Sequence, residues 1–548
     1  ARIEAWSAEL VAGTCPAPVR EQLYKILFKP DKNAPEYKAV VDAARHSHTA
    51  PLVLLQKAGA IESAYQFHWQ RFLFDQFPRG TGFPALQAPA IADELPLAPV
   101  QAVSIDDSAT TEIDDALSVQ GLGSGTVTLG IHIAAPGLAI APDSAVDQVA
   151  RARLSTVYMP GHKITMLPDD VVQTYTLQAG RDCPAVSLYV SFDETTLERR
   201  DSRTALERVP IAHNLRHDQL DAVITEAWLT GQASADAPAD ITALQPQLAF
   251  MHRLARHLKA QREVVRGKPE TFTRPDYTFK LDGVAGDGPD GTERVAIGTR
   301  SRGAPLDLMV AEAMILANST WGQWLADCGV PGIYRSQASL APGIKVRMGT
   351  KAQPHAGIGV PCYAWSTSPL RRYVDLVNQW QIIACARHGK TAALAAPFKP
   401  KDANLFSVIS AFDAAYAAYN GFQGGMERFW TLQYLRQNGI TELTASLIRD
   451  DLVRADNLPL VMQVLGGDGL PRGAHVRVRL GQSDDITLEV HGTVIERLDT
   501  PADTPADAAA DAAAEADDDE ALAAPIALAI DVNETDNPAP AAGSSENG

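Results

Sequence analysis

The stretch Ser104-Ile105-Asp106-Asp107-Ser108-Ala109-Thr110-Thr111-Glu112-Ile113-Asp114-Asp115-Ala116-Leu117 holds five carboxylates within ten residues. Apolar residues lead into it (Val100, Val103, Ile105) and out of it (Ala116, Leu117, Val119). Such flanks belong to buried strands, so the carboxylates sit at strand ends rather than on a solvated acidic loop. Crowded carboxylates raise one another's pKa, and a positive partner is needed to relieve them. Hard divalent cations accept oxygen ligands, and Mg²⁺ suits a few carboxylates completed by water and phosphate. An EF-hand does not fit, because Thr111 occupies the sixth position counted from Asp106, where that loop needs glycine. A structural cation site or a polar surface turn is the competing reading.

Working outward, the chain divides by composition. Residues 1–95 carry apolar side chains at helical spacing, notably Leu54, Leu55, Ile61, Tyr65, Phe67, Trp69, Phe72 and Phe77. They predict a helical N-terminal domain with a winged-helix type as one guess, followed by a Pro-rich linker over 84–99. Residues 96–436 mix strands with long helices, predicted over 247–265, 305–329, 369–389 and 405–435. Val127, Leu129, Ile131 and Ile133 alternate after the turn Gly121-Leu122-Gly123-Ser124-Gly125, which reads as a hairpin and lacks a phosphate-loop pattern. About five short alternating strands over 440–499 predict a closed barrel of OB type, a fold that often binds single strands. A structural barrel without a ligand is the alternative. Residues 500–548 are Ala-, Asp- and Pro-rich, without aromatics, and predict a disordered acidic tail. The fold class expected is therefore α+β and multidomain.

Net charge is −18 over 548 residues, but residues 501–548 hold twelve Asp or Glu and no Lys or Arg, leaving the body at −6. A mildly acidic body can carry a basic channel, so the charge does not exclude a nucleic-acid ligand. Five scattered cysteines (Cys15, Cys183, Cys328, Cys362, Cys385) suggest neither zinc nor a disulfide framework. No apolar run approaches the roughly 18 residues of a membrane span, and no signal peptide follows Ala1. A cytoplasmic monomer is the expectation, and whether a segment precedes Ala1 stays open.

The spacing D-x5-[D/E]-x-D-D-A-L resembles the signature of the RNB family, the ribonuclease II and ribonuclease R exoribonucleases. Further segments resemble the family in order: Ser155-Thr156-Val157-Tyr158-Met159-Pro160 with Met166-Leu167-Pro168, then 312–318 (E-A-M-I-L-A-N), then Thr367-Ser368-Pro369-Leu370-Arg371-Arg372-Tyr373, and more weakly Met426-Glu427-Arg428. The likeness is strong over 100–435 and weak over 440–499. It implies an RNB-type mixed α/β catalytic domain that hydrolyses single-stranded RNA from the 3′ end to nucleoside 5′-monophosphates. A catalytically weakened RNA-binding protein on the same fold is the alternative.

By the same resemblance Asp106, Glu112, Asp114 and Asp115 are metal ligands for one or two Mg²⁺ (Mn²⁺ substituting), with Asp114, Asp115 and Arg371 catalytic. Asp107 is set aside as a neighbour. Glu112 departs from the family's usual Asp, keeping the charge and adding a methylene. The resemblance also implies that Tyr158 stacks on a nucleotide near the 3′ end, that Glu312 contacts the terminal nucleotide, and that Glu427 positions the RNA end. Structural roles remain open for each of these three: packing for Tyr158, a salt bridge for Glu312, a surface position for Glu427.

Arg371 is implied to hold the scissile phosphate, with Arg372 secondary. Ser368 and Pro369 also suit an N-cap and first helical position, which would put Arg371 in a first turn, where a cation calls for an anion beside it. An Arg371–Asp375 surface bridge is the alternative. His132, in a family-like H-I-A strand, reads as a structural hydrogen-bonding group. Gln379 stands where many members carry His. The N-terminal helices do not resemble the family's usual cold-shock barrels.

Overall fold

The carboxylate stretch links the first two strands of a closed five-stranded barrel. A computed structural model describes residues 1–232, 236–272, 274–500 and 526–533. The barrel comprises β1 (Ala102–Asp106), β2 (Asp115–Gln120) and β3 (Thr126–Ala134), and after a hairpin of β4 (Val157–Met159) and β5 (His162–Ile164), β6 (Asp182–Asp193) and β7 (Arg199–Arg216). Its order is β1-β2-β3-β6-β7, closed by parallel pairing of β1 with β7.

Period-two patterning explains the packing. Val127, Leu129, Ile131 and Ile133 of β3 join one core with Met251 and Leu254 of the helix Gln245–Arg266 and with Leu306 and Met309 of the helix Pro305–Asp327. The opposite face of β3 carries Gly130, His132 and Ala134. A Cβ at Gly130 would lie 2.2 Å from the Ser118 hydroxyl, so only glycine fits there. His132 is fully buried and bridges the hydroxyls of Ser118 and Ser187, each at 2.7 Å. Burial pushes its pKa down to about 3. Its expected structural role matches this geometry.

Four helices fall close to their predicted spans: Gln245–Arg266, Pro305–Asp327, Tyr373–His388 and Ala403–Gln437. The third is buried almost throughout, and its buried polar side chains Tyr373, Asp375, Asn378, Gln379, Trp380 and Gln381 all have partners. Gln379 accepts from the Gly137 amide and donates to the Ala134 carbonyl, both at 2.8 Å, bracing the strand end beside the carboxylate stretch. Two further hairpins follow the chain, β8 (Asp276–Leu281) with β9 (Val295–Arg300) and β10 (Tyr334–Ser336) with β11 (Arg347–Gly349).

The second closed barrel is β12 (Glu442–Arg449), β13 (Leu452–Ala455), β14 (Val461–Leu465), β15 (His475–Asp484) and β16 (Glu489–Arg497), in the order β12-β13-β14-β16-β15. Parallel pairing of β14 with β16 gives it the expected OB-type arrangement. Its core is continuous with Met426, Phe429 and Trp430 of the long helix Ala403–Gln437. Arg428 donates to the carbonyls of Leu488 and Val461, each at 2.6 Å, and ties that helix to the barrel.

Two expectations need correction. The N-terminal domain has six helices between Arg2 and Gln76, and among the described residues no strand lies before Ala102, so it carries no β-wing. The expected disordered tail lies mostly outside the described residues, but 526–533 are packed rather than disordered. Ile526, Leu528, Ile530 and Val532 alternate onto the N-terminal core. The Ala529 amide donates to the Leu27 carbonyl at 2.8 Å, and Arg45 Nε to the Val532 carbonyl at 2.6 Å. The composition of the whole tail hid this short apolar alternation. Among the described residues no helix is long and apolar enough to cross a membrane.

Candidate active site

Asp106 ends β1 and Asp115 begins β2, so the antiparallel pairing of these strands brings the two ends of the carboxylate stretch together. The intervening loop is pinned from outside. Arg216 Nη1 donates to the carbonyls of Asp107 (2.6 Å) and Thr110 (3.0 Å). The Ile113 amide donates to the Thr176 hydroxyl at 2.8 Å, which donates to the Thr111 carbonyl at 3.0 Å. The Ala134 amide donates to the Asp114 carbonyl at 2.8 Å. Asp107 is exposed, as its setting aside requires.

Burial and mutual repulsion shape the electrostatics. Desolvation is the largest cause at each of three carboxylates. It pushes Asp106 up to about 6, with Asp107 adding to the rise and Arg216 and Arg371 opposing it. It pushes Asp114 up to about 7 against Arg371 and the Leu370 amide. Asp115 lies well above the carboxylate range, held there further by Asp106 and Asp114. Asp106 Oδ2 is buried and has no hydrogen-bond partner. A buried acceptor left open in this way is costly unless something positive meets it.

Arg371 reaches this cluster from a turn, not from a helix. The helix begins at Tyr373, and 368–372 form a turn closed by the Arg371 and Arg372 amides donating to the Ser368 carbonyl at 3.2 and 3.0 Å. The expected N-cap is therefore displaced by four residues. The reason is Asp375, which is fully buried and accepts from the Ser368 amide at 2.9 Å. Arg372, not Arg371, pairs with it, at 2.9 and 2.8 Å, and lies 3.9 Å from the Trp365 ring centre. Arg372 is thus held structurally, whereas the Arg371 side chain is 42% exposed. Arg371 Nε sits 3.7 Å from Asp114 Oδ2, while the Leu370 amide donates to Asp114 Oδ1 at 2.9 Å.

The β4–β5 hairpin completes the group. The Thr156 amide donates to the Arg371 carbonyl at 2.9 Å, and Ser155 bridges Arg372, so the hairpin is docked on the arginine turn. Its two-residue turn Pro160-Gly161 pairs Tyr158 with Lys163. Tyr158 lies within electrostatic reach of Arg371, Glu112 and Asp114. Lys163 was not anticipated from the sequence, although the Pro-Gly turn and the register it sets could have placed it opposite Tyr158. Its Nζ lies 2.9 Å from Glu112 Oε1 and donates to the Thr111 hydroxyl at 2.7 Å.

The expected four-carboxylate metal set is therefore not assembled as a unit. Among the described residues no three His, Cys, Asp or Glu side chains are gathered closely enough to hold a metal ion by themselves. Asp106, Asp114 and Asp115 share one field, and Glu112 is taken by Lys163.

Two other expected site residues lie elsewhere. Glu312 is buried and accepts from Arg262 Nε and Nη2 at 2.9 and 2.6 Å, so it forms the structural salt bridge rather than facing the cluster. Glu427 has Gln423 as its neighbour at 3.3 Å and lines a cavity of about 1070 Å³ between the N-terminal helices, β8, the long helix and the second barrel. Arg71, Arg302, Arg428, Tyr277 and Phe422 also line that cavity.

The RNB domain family matches residues 96–342 and 343–388. An uncharacterized ribonuclease of Synechocystis is 27% identical over 395 residues, covering 68% of this chain and 54% of that protein. Exoribonuclease 2 of Edwardsiella piscicida is 28% identical over 328 residues, covering 50% of this chain and 48% of that protein. The chain thus spans about half the length of the curated relatives it matches. Among solved structures, the Dss1 exoribonuclease active-site mutant from Candida glabrata superposes with a TM-score of 0.68 at 18% identity, covering 87% of this chain and 69% of that one. Mycoplasma genitalium RNase R in complex with ribose-methylated single-stranded RNA gives 0.59 at 15%, with 78% and 77% covered. The yeast pseudonuclease Ssd1 gives 0.52 at 16%, with 77% and 59% covered. At these identities the structural likeness speaks to the fold.

Proposed function

The chain belongs to the RNB domain family, and from that premise we propose that it is a 3′-to-5′ exoribonuclease that hydrolyses single-stranded RNA to nucleoside 5′-monophosphates with Mg²⁺. The convergence of Asp106, Asp114 and Asp115 with Arg371 and Tyr158, where β1, β2, the β4–β5 hairpin and the arginine turn meet, carries this reading. The donor set fits a hard cation: Asp106 Oδ2 is buried without a partner, and Mg²⁺ is commonly held by one or two carboxylates with water and phosphate filling its shell. Asp106 and Asp115 would hold the ion, with Asp114 beside it. Bound there, it would supply an activated water and relieve charge on the scissile phosphate.

The residues divide the remaining work. Arg371, exposed on one side and anchored through Ser368 at 3.0 Å, is set to neutralise an incoming phosphate and the charge that builds on it in the transition state. Asp114, held by the Leu370 amide, orients Arg371. Tyr158 offers a ring face to the terminal base. The cavity lined by Arg71, Arg302, Tyr277 and Phe422, with Glu427 on its wall, offers cations and rings of the kind that hold a single strand. The 3′ polarity and the mononucleotide product rest on the family resemblance.

One observation favours a second reading, a catalytically weakened RNA-binding protein: Glu112 is already paired with Lys163. Incubating a 5′-labelled single-stranded RNA with the protein in Mg²⁺ and then in EDTA, with products sized, separates the two. Stepwise shortening that stops in EDTA and in Asp114→Asn, with RNA binding retained, supports the enzyme. Near-normal hydrolysis by Asp114→Asn overturns the assignment, and binding without decay by the parent protein favours the second reading.

A further inference from the structure

Glu112 is the acidic position met at contact distance by a lysine ammonium. Its side chain is 3% exposed, and its Oε1 lies 2.9 Å from Lys163 Nζ. An uncompensated buried carboxylate is expensive, and an ammonium at contact distance offsets part of that expense. The ammonium is not a passing surface group. Lys163 is 31% exposed, donates also to the Thr111 hydroxyl at 2.7 Å, and sits on β5 in register with Tyr158 on β4. The hairpin that presents the aromatic ring therefore also delivers a fixed cation to the loop.

The charges meet at Asp114, which acts on Asp115 together with Asp106 and is itself acted on by Glu112, while Glu112 is not among the main groups acting on Asp106 or Asp115. A divalent ion seated on Glu112 would lie within a few ångströms of the Lys163 ammonium and would be repelled by it. The extra methylene of Glu is consistent with this, because it lets the carboxylate reach across to β5.

We infer that Lys163 occupies the place of a cation at Glu112, so that Glu112 is not a metal ligand and the site takes a single divalent ion on the side of Asp106, Asp114 and Asp115. This rests on the metal-dependent reading above. Lys163 is a positioning residue: it holds the charge and orientation of Glu112 and of the hairpin carrying Tyr158, while the ion and Arg371 face the phosphate.

Mn²⁺ binding to EDTA-stripped protein, without RNA, tests the inference by calorimetry and by electron paramagnetic resonance of free Mn²⁺. The parent protein should bind one ion. Glu112→Gln should bind it with an affinity within about twofold of the parent, whereas Asp106→Asn should weaken it by about tenfold or more, the scale of a lost charged ligand. Lys163→Arg should keep the parent stoichiometry, and Lys163→Met should tighten Mn²⁺ binding or add a second ion, because Glu112 is then unmatched. Circular dichroism melts verify that each variant is folded, and Glu112→Gln with Lys163→Arg decide the matter if Lys163→Met does not fold. A second ion in the parent, or weakening by Glu112→Gln equal to that by Asp106→Asn, overturns the inference alone. No Mn²⁺ binding by the parent overturns the metal-dependent reading itself.

Discussion

Replacing Glu312 by Ala separates a structural role from contact with the RNA end. Glu312 is 2% exposed and Arg262 7%. Arg262 donates to Glu312 at 2.9 and 2.6 Å, to Glu270 at 3.2 and 3.1 Å, and to the Ile358 carbonyl at 2.6 Å. Truncation strips the guanidinium of its most buried partner while leaving the charge in place. Breaking a buried pair on one side costs about 3–5 kcal/mol. Glu270, 19% exposed, still faces Arg262 and keeps part of that, so a loss of about 2–4 kcal/mol is expected. For a catalytic domain of about 340 residues that corresponds to roughly 3–6 °C in melting temperature. Thermal unfolding followed by near-ultraviolet circular dichroism reads it. Glu312→Leu combined with Arg262→Met should recover most of the loss, because the stranded charge is gone. RNA decay at 20 °C, far below the melt, should keep an unchanged KM. A melting temperature unaltered by Glu312→Ala together with a raised KM would refute the structural role and restore the nucleotide contact.

Other substitutions divide along the same line. Arg371→Ala should lower single-turnover cleavage by about 10²–10³-fold with little change in melting, whereas Arg372→Ala should mainly lower the melting temperature, because it strands the fully buried Asp375; the reverse pattern would exchange their roles. Tyr158→Ala, in an Asp114→Asn background, should weaken single-stranded RNA binding by about 1–3 kcal/mol in fluorescence anisotropy, and unchanged affinity would leave the ring a packing group. His132 gives a pH dependence of definite sign. Its pKa is about 3 in the folded protein, below the unfolded value, so acid favours the unfolded chain. Its stabilisation is present above about pH 6.5 and falls by up to about 1.4 kcal/mol per unit as pH drops toward 3. Denaturant unfolding at several pH values should show a shallower slope in His132→Gln, and equal slopes would refute it.

Several features of this protein were legible without coordinates. Period-two alternation in β3 and across residues 440–499 pointed to half-buried strands because side chains must face one core. The spacing from Asp106 to Asp115 pointed to a carboxylate site because apolar strands flank it. The long helices were visible as long stretches rich in apolar and small residues; only Gln245–Arg266 carries one distinct apolar face, and Tyr373–His388 is buried almost throughout.

Tertiary contacts decided the rest. Ser368 and Pro369 form an acceptable helix start locally, but the buried Asp375 captures the Ser368 amide and holds the segment as a turn, which is what swings Arg371 toward Asp114. Glu312 and Glu427 each lie on a long helix rich in small and apolar residues, Glu427 beside Arg428. Only packing shows that one is closed off by Arg262 and the other lines a cavity. The sequence alone set which residues carry charge and which strands they end, since those depend on neighbours a few positions away. Which opposite charge meets each carboxylate — Arg371 at Asp114, Lys163 at Glu112 — depended on a turn and a hairpin distant in the chain, and long-range electrostatic pairing leaves no periodic trace in a sequence.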